Sequence, residues 1–286
     1  MHTQIRADDD GGFKLYHYTP TFGGAVAFAV FFAIASGRHI QLLFKKRTWF
    51  FIPFIVGCLF ETIGYAARAY SSKQTPDWTL MPYIIQSMLI LLGPAFYAAS
   101  IYMLLGRLVV LIDGEQNCLI STRWLTKIFL LGDILSIFGQ GGGGGLLAAS
   151  SSQSTQDMGN TIIMLGLGIQ LVFFGGFMVV TVLFHIRMNR RPTVKSRGTL
   201  IPWKMFLYVL YVASMLIMVR SVFRLIEYAQ GYSGALLQKE IYVYALDAFL
   251  MLLVSAIFAW YHPRSLYVHE SQERYDMAQE RYREIP

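Results

Sequence analysis

Seven ionisable side chains lie inside long apolar stretches of this chain of 286 residues. They are Glu61, Arg68, Asp133, Arg220, Arg224, Glu227 and Asp247. A charge removed from water costs free energy unless it is paired or binds something, so side chains of this kind are candidates for chemistry. Four are carboxylates and three are guanidinium groups, a nearly neutral sum that is expected where buried charges pair with one another.

The spacing of these residues places several of them on common helical faces. Glu61 and Arg68 are two helical turns apart, and Arg220, Arg224 and Glu227 follow one another at intervals of four and three. One interpretation is a set of ion pairs that fix the order of the helices. The other is a polar cavity for the head group of an amphipathic ligand, because carboxylates suit an amine and arginine forks suit a phosphate. With one amide added, the candidate ligand-binding and translocation residues are Glu61, Arg68, Asp133, Gln140, Arg220, Arg224, Glu227 and Asp247.

The elements that must position these residues are long apolar helices. The chain is 55% hydrophobic and 14% charged, against roughly 25% charged residues in a soluble domain. A bilayer core of about 30 Å is crossed by about 20 apolar residues in a helix. Seven segments satisfy this requirement, so the sequence predicts an all-α bundle of seven transmembrane helices. They are approximately residues 20–44, 49–70, 81–111, 124–149, 160–187, 203–229 and 241–262.

The distribution of Lys and Arg near the segment ends predicts the orientation of the bundle. Sixteen lie on the side that includes the C-terminal tail, and four lie on the opposite side. Because cytoplasmic connections carry the excess of Lys and Arg, the N-terminus is expected outside and the C-terminus in the cytosol. The predicted organisation is an extracellular N-terminus at 1–19, a transmembrane domain at 20–262 and a cytosolic tail at 263–286. At these depths most of the charged set falls in the outer half of the bundle.

Two backbone features inside the predicted spans bear on packing. Pro94 is expected to kink the third span, with a neighbouring helix satisfying the carbonyl that the proline leaves without a donor. The glycine-rich run of residues 139–145 is not followed by the Lys-Ser/Thr of a phosphate loop. It predicts close approach of another helix, and local unwinding beside a cavity is the alternative.

Several function classes are disfavoured. The net charge of +7 comes from basic residues at span ends, so it does not indicate nucleic-acid binding. The predicted seventh span contains no lysine for a retinal Schiff base. The histidines lack metal-ligand spacing, and no pattern of nucleophile and base is present, so neither a metal, a cofactor nor an enzymatic activity is predicted. An intramembrane enzyme remains the third alternative.

At this point the residues resemble a known family, the fungal lipid-translocating exporters or RTA-like seven-transmembrane proteins. The resemblance runs through nearly the whole chain, and its motifs coincide with the polar residues of the spans. They include Glu61-Thr-Ile-Gly64-Tyr65-Ala-Ala-Arg68, Gly93-Pro94-Ala95, Gly132-Asp133-Ile-Leu-Ser136 with Gln140, Arg220-Ser-Val-Phe-Arg224-Leu-Ile-Glu227-Tyr228, Glu240 and Tyr244-Ala-Leu-Asp247.

The resemblance implies a protein of the plasma membrane that exports amphipathic lipids or toxic amphiphiles, such as sphingoid bases, and confers resistance to them. Its partner would be a membrane lipid or an amphipathic small molecule. On this hypothesis Glu61, Asp133 and Asp247 engage a cationic or hydroxylated head group, and the arginines balance them. The alternative is a receptor-like lipid sensor or regulator of lipid asymmetry, which would signal through the basic 188–202 loop and the tail.

Overall fold

The chain folds into helices throughout the part that the computed structural model describes, residues 20–75, 78–149, 152–198, 202–230 and 240–262. No strand occurs in these ranges, which confirms the all-α class. The predicted N-terminus at 1–19 and tail at 263–286 lie outside them. The helices are α1 Phe22–Lys46, α2 Ile52–Ser72, α3 Leu80–Leu111, α4 Thr122–Ala149, α5 Gln153–Arg190, α6 Val194–Gly198, α7 Trp203–Ala229, α8 Glu240–Val243 and α9 Phe249–Trp260. A π-helical segment, Tyr244–Ala248, joins α8 to α9.

Six helices of the described chain are long and apolar enough to cross a membrane. They are α1, α2, α3, α5, α7 and the continuous helix Glu240–Trp260. The remaining long helix, α4, has 28 residues and packs between α3 and α5. Its glycine run, Asp133 and Gln140 lower its hydropathy, and it is not among the six. Six of the seven predicted spans are therefore confirmed as membrane-capable helices. The remaining one, the fourth span at α4, stays a prediction.

The helix boundaries depart most from the sequence prediction at α5. This helix begins at Gln153 rather than near residue 160 and has 38 residues, a length of about 57 Å. Because the apolar core of a bilayer is only about 30 Å thick, α5 must tilt strongly or continue beyond the core.

Glycines set the closest approaches between neighbouring antiparallel helices. A Cβ atom built at Gly57 would lie 2.8 Å from the carbonyl oxygen of Gly93 on α3, and one at Gly64 would meet Ile90. The contacts of α2 thus move to lower residue numbers on α3 as α2 proceeds, so the two helices run antiparallel. The glycine run of α4 stays helical, and there Gly143 lies against the backbone of α5. The structure therefore confirms close packing, and it shows no unwinding of α4.

The replacement Gly143→Ala is expected to lower the unfolding temperature of the protein in detergent. The new Cβ would lie 2.5 Å from the carbonyl oxygen of Gly159, so α4 and α5 would have to separate. Overpacking of this kind costs about 1–3 kcal/mol. Gly142→Ala is the matched control, because nothing lies within 4 Å of a Cβ atom there. Intrinsic fluorescence during heating measures both variants, and equal effects at the two positions would contradict the close packing.

Candidate functional site

One group of buried charges joins α7 to the π segment. The Nε of Arg220 donates to Oδ1 of Asp247 at 2.5 Å, and Nη2 of Arg224 donates to Oδ2 of the same carboxylate. Arg224 also pairs with Glu227, its Nη1 lying 2.8 Å from Oε2. These side chains are at most 13% exposed. We call Arg220, Arg224, Glu227 and Asp247 the ion-pair centre.

The ion-pair centre is also attached to α3 through the proline in that helix. Pro94 has no N–H group, so the carbonyl of Ile90, four residues earlier, lacks its helical donor. The Nη2 of Arg220 donates to this carbonyl oxygen at 2.7 Å. The expectation that a neighbouring helix satisfies the freed carbonyl is therefore confirmed, and α3 continues as one helix through Pro94.

The π segment positions the acidic member of the centre. The N–H of Phe249 bonds to the carbonyl of Tyr244, which adds one residue to the turn that contains Asp247. Single π turns inside α-helices occur frequently at functional sites. The segment presents Asp247 to α7 and Tyr244 to α1 and α2, so it links the ion-pair centre to a second polar group.

The second group ties the start of α1 to α2 and α8. The Nη2 of Arg68 lies 2.8 Å from Oε1 of Glu240, and its Nε donates to the Tyr244 hydroxyl at 3.3 Å. The two oxygens of Glu240 accept the backbone N–H of Thr21 at 3.1 and 2.9 Å. The Tyr244 hydroxyl also donates to Glu240 at 3.0 Å. We call Thr21, Arg68, Glu240 and Tyr244 the N-terminal latch.

Glu61 is a buried carboxylate that neither group uses. Its side chain is 0% exposed, and neither carboxylate oxygen has a hydrogen-bond partner. It occupies the space that a glycine leaves on α3, because a Cβ atom at Gly93 would lie 2.7 Å from Oε1 of Glu61. It interacts electrostatically with Arg220, Arg224 and Asp247. Glu61 therefore lies beside the ion-pair centre without belonging to it.

Other buried polar atoms near Glu61 also lack hydrogen-bond partners. They are the hydroxyl of Tyr65, Nη1 of Arg220 and Nε of Arg224. Tyr65 lies one helical turn after Glu61 and interacts electrostatically with both Glu61 and Arg224. Buried polar groups are normally hydrogen-bonded, and a cluster that is not calls for a polar group from a ligand or from water. One carboxylate acceptor and three donor groups, some of which interact electrostatically with one another, are thus available to a ligand.

Counted over the described residues, the charges in this region do not balance when every group is ionised. The three arginines Arg68, Arg220 and Arg224 are already matched by the carboxylates of Glu227, Glu240 and Asp247. Glu61 is a fourth carboxylate. An ionised Glu61 would leave one negative charge uncompensated in a buried site, which is unfavourable unless a cation joins it.

The remaining predicted acid, Asp133, lies elsewhere. Its carboxylate is 1% exposed and faces the hydroxyl of Tyr102 on α3. Tyr102 is nine residues beyond Gly93, the contact of Glu61, a separation of about 13 Å along α3. The structure therefore does not bring Asp133 to the ion-pair centre.

The predicted amide Gln140 forms a third contact, between α4 and α5. Its Nε2 donates to Oγ of Ser136 at 2.5 Å and to Oε1 of Gln170 at 3.0 Å. The eight predicted residues thus occupy several separate places in the bundle. Glu61 lies beside the ion-pair centre, and Arg68 belongs to the N-terminal latch. Asp133 and Gln140 lie at two other positions, away from both groups.

Sequence reasoning omitted several polar residues from the site. Glu240, Tyr65 and Tyr244 were named in the family motifs, and the signal for Glu240 was its charge at the start of the predicted seventh span. Gln170 is as buried as Gln140, and its signal in the sequence is a polar side chain inside a predicted span. Among the described residues, no group of three His, Cys, Asp or Glu side chains is arranged to hold a metal ion.

Comparison with known proteins places these residues in a family context. The sequence model of the family described as RTA1 like protein matches residues 54–270. Protein RTA1 of Saccharomyces cerevisiae is 37% identical over 276 residues, covering 86% of this chain and 84% of the relative. Protoporphyrin uptake protein 1 of the same yeast is 35% identical over 285 residues, covering 87% and 92%. A more distant yeast protein, Sphingoid long-chain base transporter RSB1, is 25% identical over 271 residues, covering 83% and 70%. No solved structure matches.

Proposed function

This chain belongs to the RTA1-like protein family, and we propose that it moves amphipathic lipids or toxic amphiphiles across a membrane. The family resemblance inferred from the motifs is confirmed. The chain is a membrane protein whose relatives carry names of lipid transporters and exporters. Those names indicate transport rather than catalysis. The cargo proposed for this chain is an amphiphile with a cationic, hydroxylated head group, of the sphingoid-base kind.

The observation that carries the proposal is the unpartnered polar cluster at Glu61. A carboxylate that lacks its own counter-cation can pair with an ammonium group, and charge-assisted hydrogen bonds of this kind are strong. The Tyr65 hydroxyl and the free N–H groups of Arg220 and Arg224 can bind the hydroxyl oxygens of the same head group. The ion-pair centre then has a structural role, because it holds α7, the π segment and α3 together around the site. On this view both oxygens of Asp247 are occupied by arginines, and Glu61 contacts the cargo.

The orientation and location are part of the proposal. We propose seven crossings, with α4 as the fourth, which put the two termini on opposite sides of the membrane. The excess of Lys and Arg favours the N-terminus outside and the C-terminus in the cytosol, and the plasma membrane is the proposed location. The packing of α4 between α3 and α5 supports its assignment as a span. Cations at the ends of α1 and α5 and at the start of α7 support the direction.

The orientation predicts different reactivity for cysteines placed at the two ends of the bundle. In a variant with Cys58 and Cys118 replaced by alanine, Lys73→Cys is expected to react with a membrane-impermeant maleimide in intact cells. Arg190→Cys is expected to react only after the cells are permeabilised. Lys73 follows α2, and Arg190 ends α5. The opposite pattern would reverse the proposed topology, and equal labelling in intact cells would mean that the ends share one side.

The function is tested by reconstituting the purified chain in liposomes that contain tail-labelled sphinganine. A membrane-impermeant reductant destroys the label only in the outer leaflet. With the protein present, the inner pool is expected to become accessible as the lipid crosses, whereas protein-free liposomes should retain it. Binding of sphinganine without movement between leaflets would contradict the transport proposal and support the lipid-sensor alternative.

A further inference from the structure

Glu61 is the surplus acid of the buried charge cluster. The three arginines nearby are matched by three other carboxylates. A carboxyl group that is 0% exposed and has no hydrogen-bond donor on either oxygen is compensated in only two ways. A proton neutralises it, or a cation pairs with it. These two forms of compensation exclude each other, because a protonated carboxyl group is neutral and leaves a buried cation without its counter-charge.

Among the described residues, the groups around Glu61 offer no third means of compensation. α1 presents the apolar rings of Phe28 and Phe32 to Tyr65 on this side of α2. The titratable and charged groups that face Glu61 from α2, α3, α7 and the π segment are Cys58, Tyr65, Tyr97, Arg220, Arg224 and Asp247. Both arginines in this set are held by Asp247.

Several buried polar side chains lie between Glu61 and the predicted cytosolic end of the bundle. One turn below Glu61, the Tyr97 hydroxyl donates to Sγ of Cys58 at 3.2 Å, and this sulfur lies 3.5 Å from Oγ of Ser255. The Nε2 of His39 lies 3.1 Å from the Ser255 carbonyl oxygen, and its Nδ1 has no partner. These four side chains are at most 1% exposed. Hydroxyl, thiol and imidazole groups can each both give and accept a proton.

We propose that Glu61 exchanges one proton for the cationic head group, so that transport is coupled to the pH difference across the membrane. The inference rests on the proposed function and adds its energy source. When the cation enters, the carboxyl O–H bond of Glu61 breaks and the carboxylate pairs with the cation. The proton passes to the hydroxyl and thiol group formed by Tyr97, Cys58 and Ser255 on its way to the cytosolic water. When the cargo leaves on the outer side, a proton from outside takes its place on Glu61.

The coupling is tested by counting protons during binding. The probe is a tail-labelled sphinganine whose nitrogen carries three methyl groups, because its permanent charge cannot carry a proton across or release one. Purified full-length protein in nanodiscs, in weak buffer with a pH dye, is titrated with this probe while the label reports binding. We expect about one proton released per bound probe. In Glu61→Gln we expect binding at least about tenfold weaker, with no proton released.

The outcomes separate this inference from the proposed function. If the probe binds and crosses the liposome membrane without proton release, the coupling is overturned and the transport proposal still stands. If neither this probe nor unmethylated sphinganine binds or crosses, both proposals are overturned. The wild-type measurement alone decides the coupling, whatever the stability of the variant.

The route is tested by Tyr97→Phe, which keeps the ring that stacks on Phe54 at 4.4 Å and removes only the hydroxyl. Proton release is expected to keep its stoichiometry and to slow about tenfold in stopped-flow measurements, a change of about 1.4 kcal/mol in the barrier. An unchanged rate contradicts this route.

Discussion

Replacing Asp247 with leucine is expected to lower the free energy of unfolding by about 3–5 kcal/mol, the usual cost of removing one partner from a buried ion pair. Arg220, which is 0% exposed, would lose its carboxylate and keep only the Ile90 carbonyl as a partner. Arg224 would still pair with Glu227. Chemical or thermal unfolding in detergent, followed by fluorescence, measures the loss.

The double replacement Asp247→Leu with Arg220→Leu is the matched control. It removes one negative and one positive charge together, and replacing a whole buried pair by apolar side chains is often nearly neutral. We expect most of the stability to return. A remaining deficit of about 1–3 kcal/mol is expected because the Ile90 carbonyl beside Pro94 loses its donor. A double variant no more stable than the single one would contradict the pairing.

Glu61→Gln is expected to slow sphinganine transport in liposomes by about 10- to 100-fold. A hydrogen bond to a charged group contributes about 1.5–3 kcal/mol, and each 1.4 kcal/mol corresponds to a factor of ten. The protein itself should remain folded, because glutamine has the shape of the neutral carboxylic acid and its cavity against Gly93 is unchanged. Flux and unfolding temperature are measured on the same preparation.

The control for this variant is Asp113→Asn. Asp113 is an acid in the connection between α3 and α4, 70% exposed, at a positive φ of 49° that asparagine also accepts. Its replacement changes the same charge far from the cluster, so flux should equal that of the wild type. If Glu61→Gln transports as fast as Asp113→Asn, the head group does not depend on Glu61.

The helices could be predicted because the thickness of the membrane requires apolar runs of about 20 residues, and few segments of soluble proteins are apolar over that length. The prediction of α7 at 203–229 agrees with the observed Trp203–Ala229. The buried charges were identified on the same ground, since each costs free energy in an apolar medium. Their partners were not predictable. Arg220 and Asp247 lie on different helices, and spacing along the chain relates only residues of the same helix.

The site also depends on backbone features that leave weak sequence signals. Nothing in Tyr244–Ala248 distinguishes a π turn from an α turn, yet this turn positions Asp247. Pro94 predicts that the carbonyl four residues earlier lacks its helical donor, but only the three-dimensional structure shows that Arg220 donates to this carbonyl of Ile90. Asp133 illustrates the converse. Its place inside a predicted span marks it as a candidate ligand-binding residue, whereas helix packing turns it toward Tyr102.

The most direct test of the account is an electron cryomicroscopy structure of the protein in nanodiscs with sphinganine. We predict density for the amine within about 3.2 Å of a Glu61 carboxylate oxygen, a hydrogen-bonding distance, with hydroxyl density beside Tyr65 and Arg224. Head-group density only on the lipid-facing surface of the bundle, or at Asp133 and Gln140, would contradict the assignment of Glu61 as the group that binds the transported amphiphile.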